Sequence, residues 1–197
     1  MDGALRKPMS LEAFLDWEER QELRYEFDGF EPIAMTGGTS EHSVIQRNLI
    51  TALAIRLRGK PCQVHGSELK IAVARSIRYP DAFVVCSPIP RRTTVVTEPV
   101  VVFEVLSPST AVTDRIVTNQ EYRDSPSIRR YVMLEQDRQA ATIFARQDGD
   151  WVGHILSGAA SLAMPEIGTD LSLGELYDGL ELADDVSPSQ LGTPEAV

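Results

Sequence analysis

The sequence predicts an α/β domain. Three observations carry that expectation: a long amphipathic pattern over residues 41–58, a run of short apolar strand patterns between 62 and 106, and a second run between 131 and 155. The chain has 197 residues, which suits one domain with a sizeable core. We expect that domain to span residues 1–182, with 183–197 as an acidic, flexible tail.

Ser10 begins the first element, because its hydroxyl can cap the free amides of a helix whose apolar side is Leu11, Phe14 and Leu15. Residues 24–30 then alternate as a strand up to Asp28-Gly29, and residues 31–35 return as the other arm of a hairpin. The Gly-rich stretch 36–40 ends it. Between 41 and 58, Val44, Ile45, Leu49, Leu53 and Leu57 recur mostly at three and four, so this is the longest helix; Gly59 and Pro61 stop it. Strands are expected at 62–65, 67–73, 81–86 and 100–106, a second helix at 114–122, and three more strands at 131–134, 141–144 and 151–155. Asp148-Gly149-Asp150 marks the hairpin turn between the last two, and residues 172–180 close the domain as a helix.

Composition excludes several classes. No apolar run approaches the roughly 20 residues of a membrane span, and the first residues lack the apolar core of a secretory signal, so a soluble cytoplasmic protein with no membrane partner is expected. Cys62 and Cys86 have no CxxC spacing and too few partners for a zinc site or a disulfide framework; buried thiols in strands are expected. The net charge of −10 opposes binding to a phosphate backbone, yet residues 61–138 carry 10 basic and 9 acidic side chains while residues 139–197 carry 1 and 10. The acid excess is C-terminal, which leaves a near-neutral middle able to face nucleic acid.

Two carboxylates stand out in that middle. Asp81 follows Tyr79-Pro80 at the entrance of an apolar strand, and Glu104 interrupts the apolar strand Val100-Val101-Val102-Phe103-Glu104-Val105-Leu106. Such a carboxylate is costly to bury unless it is hydrogen-bonded, paired or bound to metal. If the two strands pair, Asp81 and Glu104 converge on one divalent ion, and hard oxygen ligands suit Mg2+ or Mn2+. A serine nucleophile in Ser107-Pro108-Ser109-Thr110 lacks a placeable His and acid, and Thr36-Gly37-Gly38-Thr39 lacks the Lys-Ser/Thr of a phosphate loop.

At this point the chain resembles a known group. Tyr25-Glu26 with Asp28-Gly29, His42 at the start of the long helix, Pro80-Asp81, the run from Glu104 to Thr110, then Asp114, Tyr122 and Ser127-Ile128-Arg129-Arg130-Tyr131 occur in an order similar to the Uma-two family. These are restriction-endonuclease-like proteins of the PD-(D/E)XK nuclease superfamily. The resemblance runs from about Ser10 to Leu180. It implies a restriction-endonuclease-like fold, a central mixed β-sheet flanked by helices, with Asp81 and Glu104 as metal ligands and hydrolysis of DNA phosphodiester bonds as the reaction.

The superfamily's lysine, two residues after the acidic ligand, is Leu106 here, and the family's usual lysine is Thr118. Of the chain's three lysines only Lys70 lies in the strand region; period two puts it on the same strand face as Glu68, so we expect it to reach the metal site and align the attacking water. The resemblance implies that Glu26 extends the catalytic set, against the alternative that it only pairs across its hairpin, and His42, Arg78 and Arg115 are candidate substrate contacts. Asp114 is expected to cap its helix. Cutting both DNA strands needs two sites, so a homodimer is the expected assembly. The competing expectation is an inactive nuclease fold that serves as a binding or scaffold module.

Overall fold

The computed structural model of the chain describes residues 8–35, 37–107 and 114–182, without the side chains of Asp114 and Arg115. In chain order the elements are α1 (Leu11–Glu18), β1 (Tyr25–Phe27), β2 (Pro32–Ala34), α2 (Ser40–Leu57), β3 (Gln63–Gly66), β4 (Lys70–Val73), β5 (Ser76–Arg78), β6 (Ala82–Val85), β7 (Val95–Val96) and β8 (Val101–Val105). A π-helical turn (Asp114–Thr118) leads into α3 (Asn119–Asp124); β9 (Arg130–Leu134), β10 (Ala140–Gln147), β11 (Asp150–Ser157), β12 (Ser161–Met164), β13 (Thr169–Ser172) and α4 (Leu173–Leu176) follow.

The class is α/β, as expected, but the strands form more than one sheet. Six strands, ordered β11-β10-β9-β8-β6-β3, make the larger sheet, five make a second, ordered β2-β1-β5-β4-β7, and β12 pairs with β13. Both larger sheets are mixed, through the parallel pairs β8–β9 and β4–β7. The six-stranded sheet is covered on both faces, which is why β6 and most of β8 read as apolar runs rather than alternating ones. One face receives α2 through Ile45, Leu49, Leu53 and Leu57, packed on Val84, Val101 and Phe103. The other face, with Phe83, Val85, Val102 and Leu106, meets Ile71 and Val73 of the second sheet. Each such side chain contributes about 1.5–3 kcal/mol by leaving water. On the second sheet lies α1, where Phe14 stacks on Phe27 with centroids 4.8 Å apart.

Local chemistry explains the boundaries. Ser10 Oγ accepts from the Ala13 amide at 3.1 Å, and Thr39 Oγ1 accepts from the His42 amide at 3.2 Å, so each long helix starts on a hydroxyl cap. In the first hairpin Asp28 Oδ1 accepts from the amides of Phe30 and Glu31, both at 2.8 Å. The β10–β11 register runs without a break from Ala140–Ser157 to Gln147–Asp150, closed by Asp148 at φ 50° and Gly149 at φ 94°, a two-residue turn with both central residues left-handed.

Several expectations are corrected. The strand foreseen over 67–73 starts only at Lys70, because residues 67–69 turn after β3. The second helix opens as a π turn and becomes α-helical at Asn119, and the closing helix ends at Leu176. Cys62 and Cys86 are not thiols but a disulfide. They stand one step beyond the Gln63–Val85 pair of β3 and β6, where antiparallel partners face each other. Most of the Ser-Pro-Ser-Thr turn and all of residues 183–197 lie outside the described residues, as does the Asp114 side chain expected to cap its helix. Among the described residues, no helix is long and apolar enough to cross a membrane.

Candidate functional site

Strand pairing brings the two conspicuous carboxylates together. β6 and β8 are antiparallel with Ala82 opposite Phe103, which sets Asp81 and Glu104 opposite each other one residue further. Side chains alternate along a strand. Asp81 therefore shares the face of Phe83 and Val85, and Glu104 that of Val102 and Leu106, and these four pack in one cluster. The carboxylates are on the same face. Backbone bonds clasp them: the Asp81 amide donates to Glu104 Oε2 at 3.4 Å, and the Val105 amide donates to Asp81 Oδ2 at 2.7 Å.

They open into a cleft of about 640 Å³ whose wall also includes Glu26, His42, Gln46, Tyr79 and Thr118. Its polar side is the first two turns of α2. His42 Nε2 lies 2.6 Å from Asp81 Oδ1, and Gln46, one turn later on the same helix side, donates to the Asp81 carbonyl at 2.9 Å and to Oδ1 at 3.3 Å. An ionised carboxylate only accepts, so in that state the imidazole proton is on Nε2. Gly38 packs so closely on this ring that a Cβ there would lie 3.0 Å from His42 Nδ1. Ile33, Ala34 and Met35, from the first hairpin and the residue after it, add apolar lining.

Glu104 is held from α3. The Tyr122 hydroxyl donates to Oε1 at 2.8 Å. Burial, then the charge of Glu104, pushes that phenol well above its ordinary pKa, so Tyr122 remains a donor. Glu26, on β1, accepts from the Tyr79 amide at 3.0 Å and from Arg78 Nη1 at 2.9 Å.

The remaining candidates are placed elsewhere. Lys70, expected to reach the carboxylates, is buried on β4 with its ammonium on Glu18 of α1, and Glu18 also accepts from the Tyr79 hydroxyl. It does not line the cleft. Glu68 is in the turn before β4, exposed and paired with Arg24. Arg78, expected to contact substrate, is 2% exposed and bonded through all three of its guanidinium nitrogens to Glu26 and Glu121. Burial disfavours its charge, but the bonds and charges of these carboxylates outweigh that and raise its pKa. The side chain of Arg115 lies outside the described residues. Of the two positions where a lysine was expected, Leu106 is in the core and Thr118 lines the cleft.

Sequence reasoning did not single out Gln46, Glu121 or Tyr122 for the site. The four-residue spacing from His42 is a signal that points to Gln46; Tyr122 is marked only by its place in the family order, and Glu121 beside it has no such mark.

Among the described residues, no group of three or more His, Cys, Asp or Glu side chains is arranged to hold a metal ion. The donor chemistry of the Asp81–Glu104 pair nevertheless fits Mg2+ or Mn2+, which bind through one or two carboxylates and keep several waters.

A six-stranded mixed sheet with α2 on one face and a second sheet on the other, carrying paired carboxylates at a cleft, has a solved counterpart that makes it a nuclease-like α/β fold. The crystal structure of "a putative nuclease belonging to DUF820" from Anabaena variabilis ATCC 29413 superposes with a TM-score of 0.70 over 86% of this chain and 98% of that one, at 20% identity. Residues 11–174 match the Uma-two family model, described as "putative restriction endonuclease", and the chain belongs to that family. The uncharacterized protein slr1290 of Synechocystis sp. PCC 6803 is 35% identical over 178 residues, covering 87% of this chain and 93% of the relative. A second protein of that organism, the uncharacterized sll1609, is 28% identical over 139 residues, covering 68% and 78%.

Proposed function

We propose that this protein is a divalent-metal-dependent endonuclease that hydrolyses DNA phosphodiester bonds in the cleft between α2 and the first hairpin. The observation that carries the reading is the Asp81–Glu104 pair, on one face of adjacent strands and open to a cleft. Asp81 and Glu104 would hold Mg2+ or Mn2+, which when bound polarises the scissile phosphate and lowers the pKa of water. His42, Gln46 and the Val105 amide fix the direction of the Asp81 carboxylate, and Tyr122 fixes Glu104. Glu26 takes the role first expected of Lys70: its carboxylate, steadied by Arg78 and the Tyr79 amide, accepts the hydrogen bond of the attacking water. Two copies of the chain would bring two such clefts to one duplex.

A second reading, a nuclease fold used only for binding, is favoured by one observation: Leu106 and Thr118 occupy the expected lysine positions, and Lys70 is held by Glu18. An assay on plasmid and single-stranded DNA with Mn2+ separates the two. Cleavage that disappears in Glu104→Ala supports the enzyme; cleavage that survives in Glu104→Ala removes this site from the reaction, and no cleavage by the wild type favours the binding module.

A further inference from the structure

We propose that Glu121 is a positioning residue of the cleft and acts on Glu26 through Arg78. The inference rests on the nuclease reading for its catalytic consequence but not for its geometry. Arg78 ends β5 and is 2% exposed, and a guanidinium, which stays charged, is costly to bury there unless a carboxylate pairs with it. Its Nε and Nη2 donate side by side to Glu121 Oε2 and Oε1 at 2.8 and 2.9 Å, the two-bond fork that fixes the guanidinium plane. Ser76 Oγ adds a third bond to Glu121, also at 2.8 Å.

One carboxylate already balances Arg78. The second, Glu26, is therefore more than the buried charge requires, and it is the one on the cleft wall; Glu121 and Arg78 are not. With the plane set by Glu121, Nη1 meets Glu26 Oε2 at 2.9 Å while the Tyr79 amide meets Oε1 at 3.0 Å, so both oxygens have a defined direction. Without the fork, the guanidinium is free to turn and form its own two-bond pair with Glu26, drawing that carboxylate off the wall. The next residue on α3, Tyr122, holds Glu104. Two consecutive residues of one helix thus set two of the three carboxylates that line the cleft among the described residues.

The test is Glu121→Gln in the full chain, which keeps the size and removes the charged fork. The kcat of Mn2+-dependent plasmid cleavage is expected to fall roughly 10- to 100-fold with KM for DNA unchanged. The Tyr79 amide, whose acceptor is Glu26, is expected to exchange its hydrogen faster. Glu175→Gln is the control: it removes an equivalent two-bond partner of Arg56, at 2.9 and 2.6 Å, outside the cleft lining, and should lower stability without changing either readout. Glu121→Asp, which keeps the charge, should recover part of both effects and serves alone if the glutamine variant does not fold. Wild-type kcat together with wild-type Tyr79 exchange would overturn the proposal. If the wild-type chain does not cleave DNA, the nuclease reading falls by itself, and Tyr79 exchange still decides whether Glu121 positions Glu26.

Discussion

The hydroxyl of Tyr122 donates to Oε1 of Glu104 across 2.8 Å, joining a helix to the carboxylate that breaks an apolar strand. Tyr122 has no exposed surface, and its phenol stays protonated because burial and the neighbouring charge both oppose its ionisation. Tyr122→Phe removes one donor from a carboxylate and nothing else of size. A bond to a charged group is worth about 1.5–3 kcal/mol, so urea denaturation of the variant should show a loss of that order. An unchanged midpoint would mean that Glu104 is satisfied without it.

Alkaline pH should weaken the fold. The phenols of Tyr79, Tyr122 and Tyr177 are all raised above the ordinary 10.0, in each case first by burial. A raised folded value means that the native state holds the proton more tightly. The resulting stability is fully present below the unfolded value and is lost as pH rises through the folded ones. Stability measured by urea at about pH 11 should therefore fall below that at about pH 8, with part of the loss absent in Tyr122→Phe. Equal stability at both would contradict the burial of these hydroxyls.

Lys70 and Glu18 should behave as a structural pair. Both are buried, with side-chain exposures of 8% and 6%. Removing one charge leaves the other unpaired inside, so Lys70→Met should cost about 3–5 kcal/mol. The double variant Lys70→Met with Glu18→Gln should recover much of that loss, since the amide oxygen can still accept from the Tyr79 hydroxyl. Cleavage by the folded double variant should match wild type; a selective loss of kcat would return Lys70 to the reaction.

Some of this was legible in the residues and some was not. Asp81 and Glu104 were conspicuous because a carboxylate inside an apolar strand demands an explanation, and period two then places them on one face once the strands pair. The helix over residues 41–58 and the Asp148-Gly149 turn carried equally local signals. The division into two sheets did not: β5 has three residues, and the turn before it puts Ala74 at φ 51° with no glycine or asparagine to announce it. Lys70 was misplaced because its partner lies 52 residues earlier on α1, a pairing no spacing rule contains. Arg78 reads as a candidate substrate contact in the sequence because its partners, 52 and 43 residues away, are likewise tertiary. The disulfide joins residues 24 apart that meet only through the β3–β6 register.

Thr118 offers a gain-of-function test. It lines the cleft at the position where the resembling family usually has lysine. Thr118→Lys would bring an ammonium to the cleft that Glu26, Asp81 and Glu104 line, where it can stabilise phosphate charge and orient water. The variant should cleave plasmid DNA faster than wild type at saturating Mn2+. A slower rate in a folded variant would show that the Thr118 position does not address the scissile phosphate.

The most direct measurement is a calorimetric titration of Mn2+ into the wild-type chain, Asp81→Ala and Glu104→Ala, with the fold of each checked by circular dichroism. One binding event is expected in the wild type and none in either variant. Binding that persists unchanged in both folded variants, or none in the wild type, would contradict the claim that these two carboxylates share a cation.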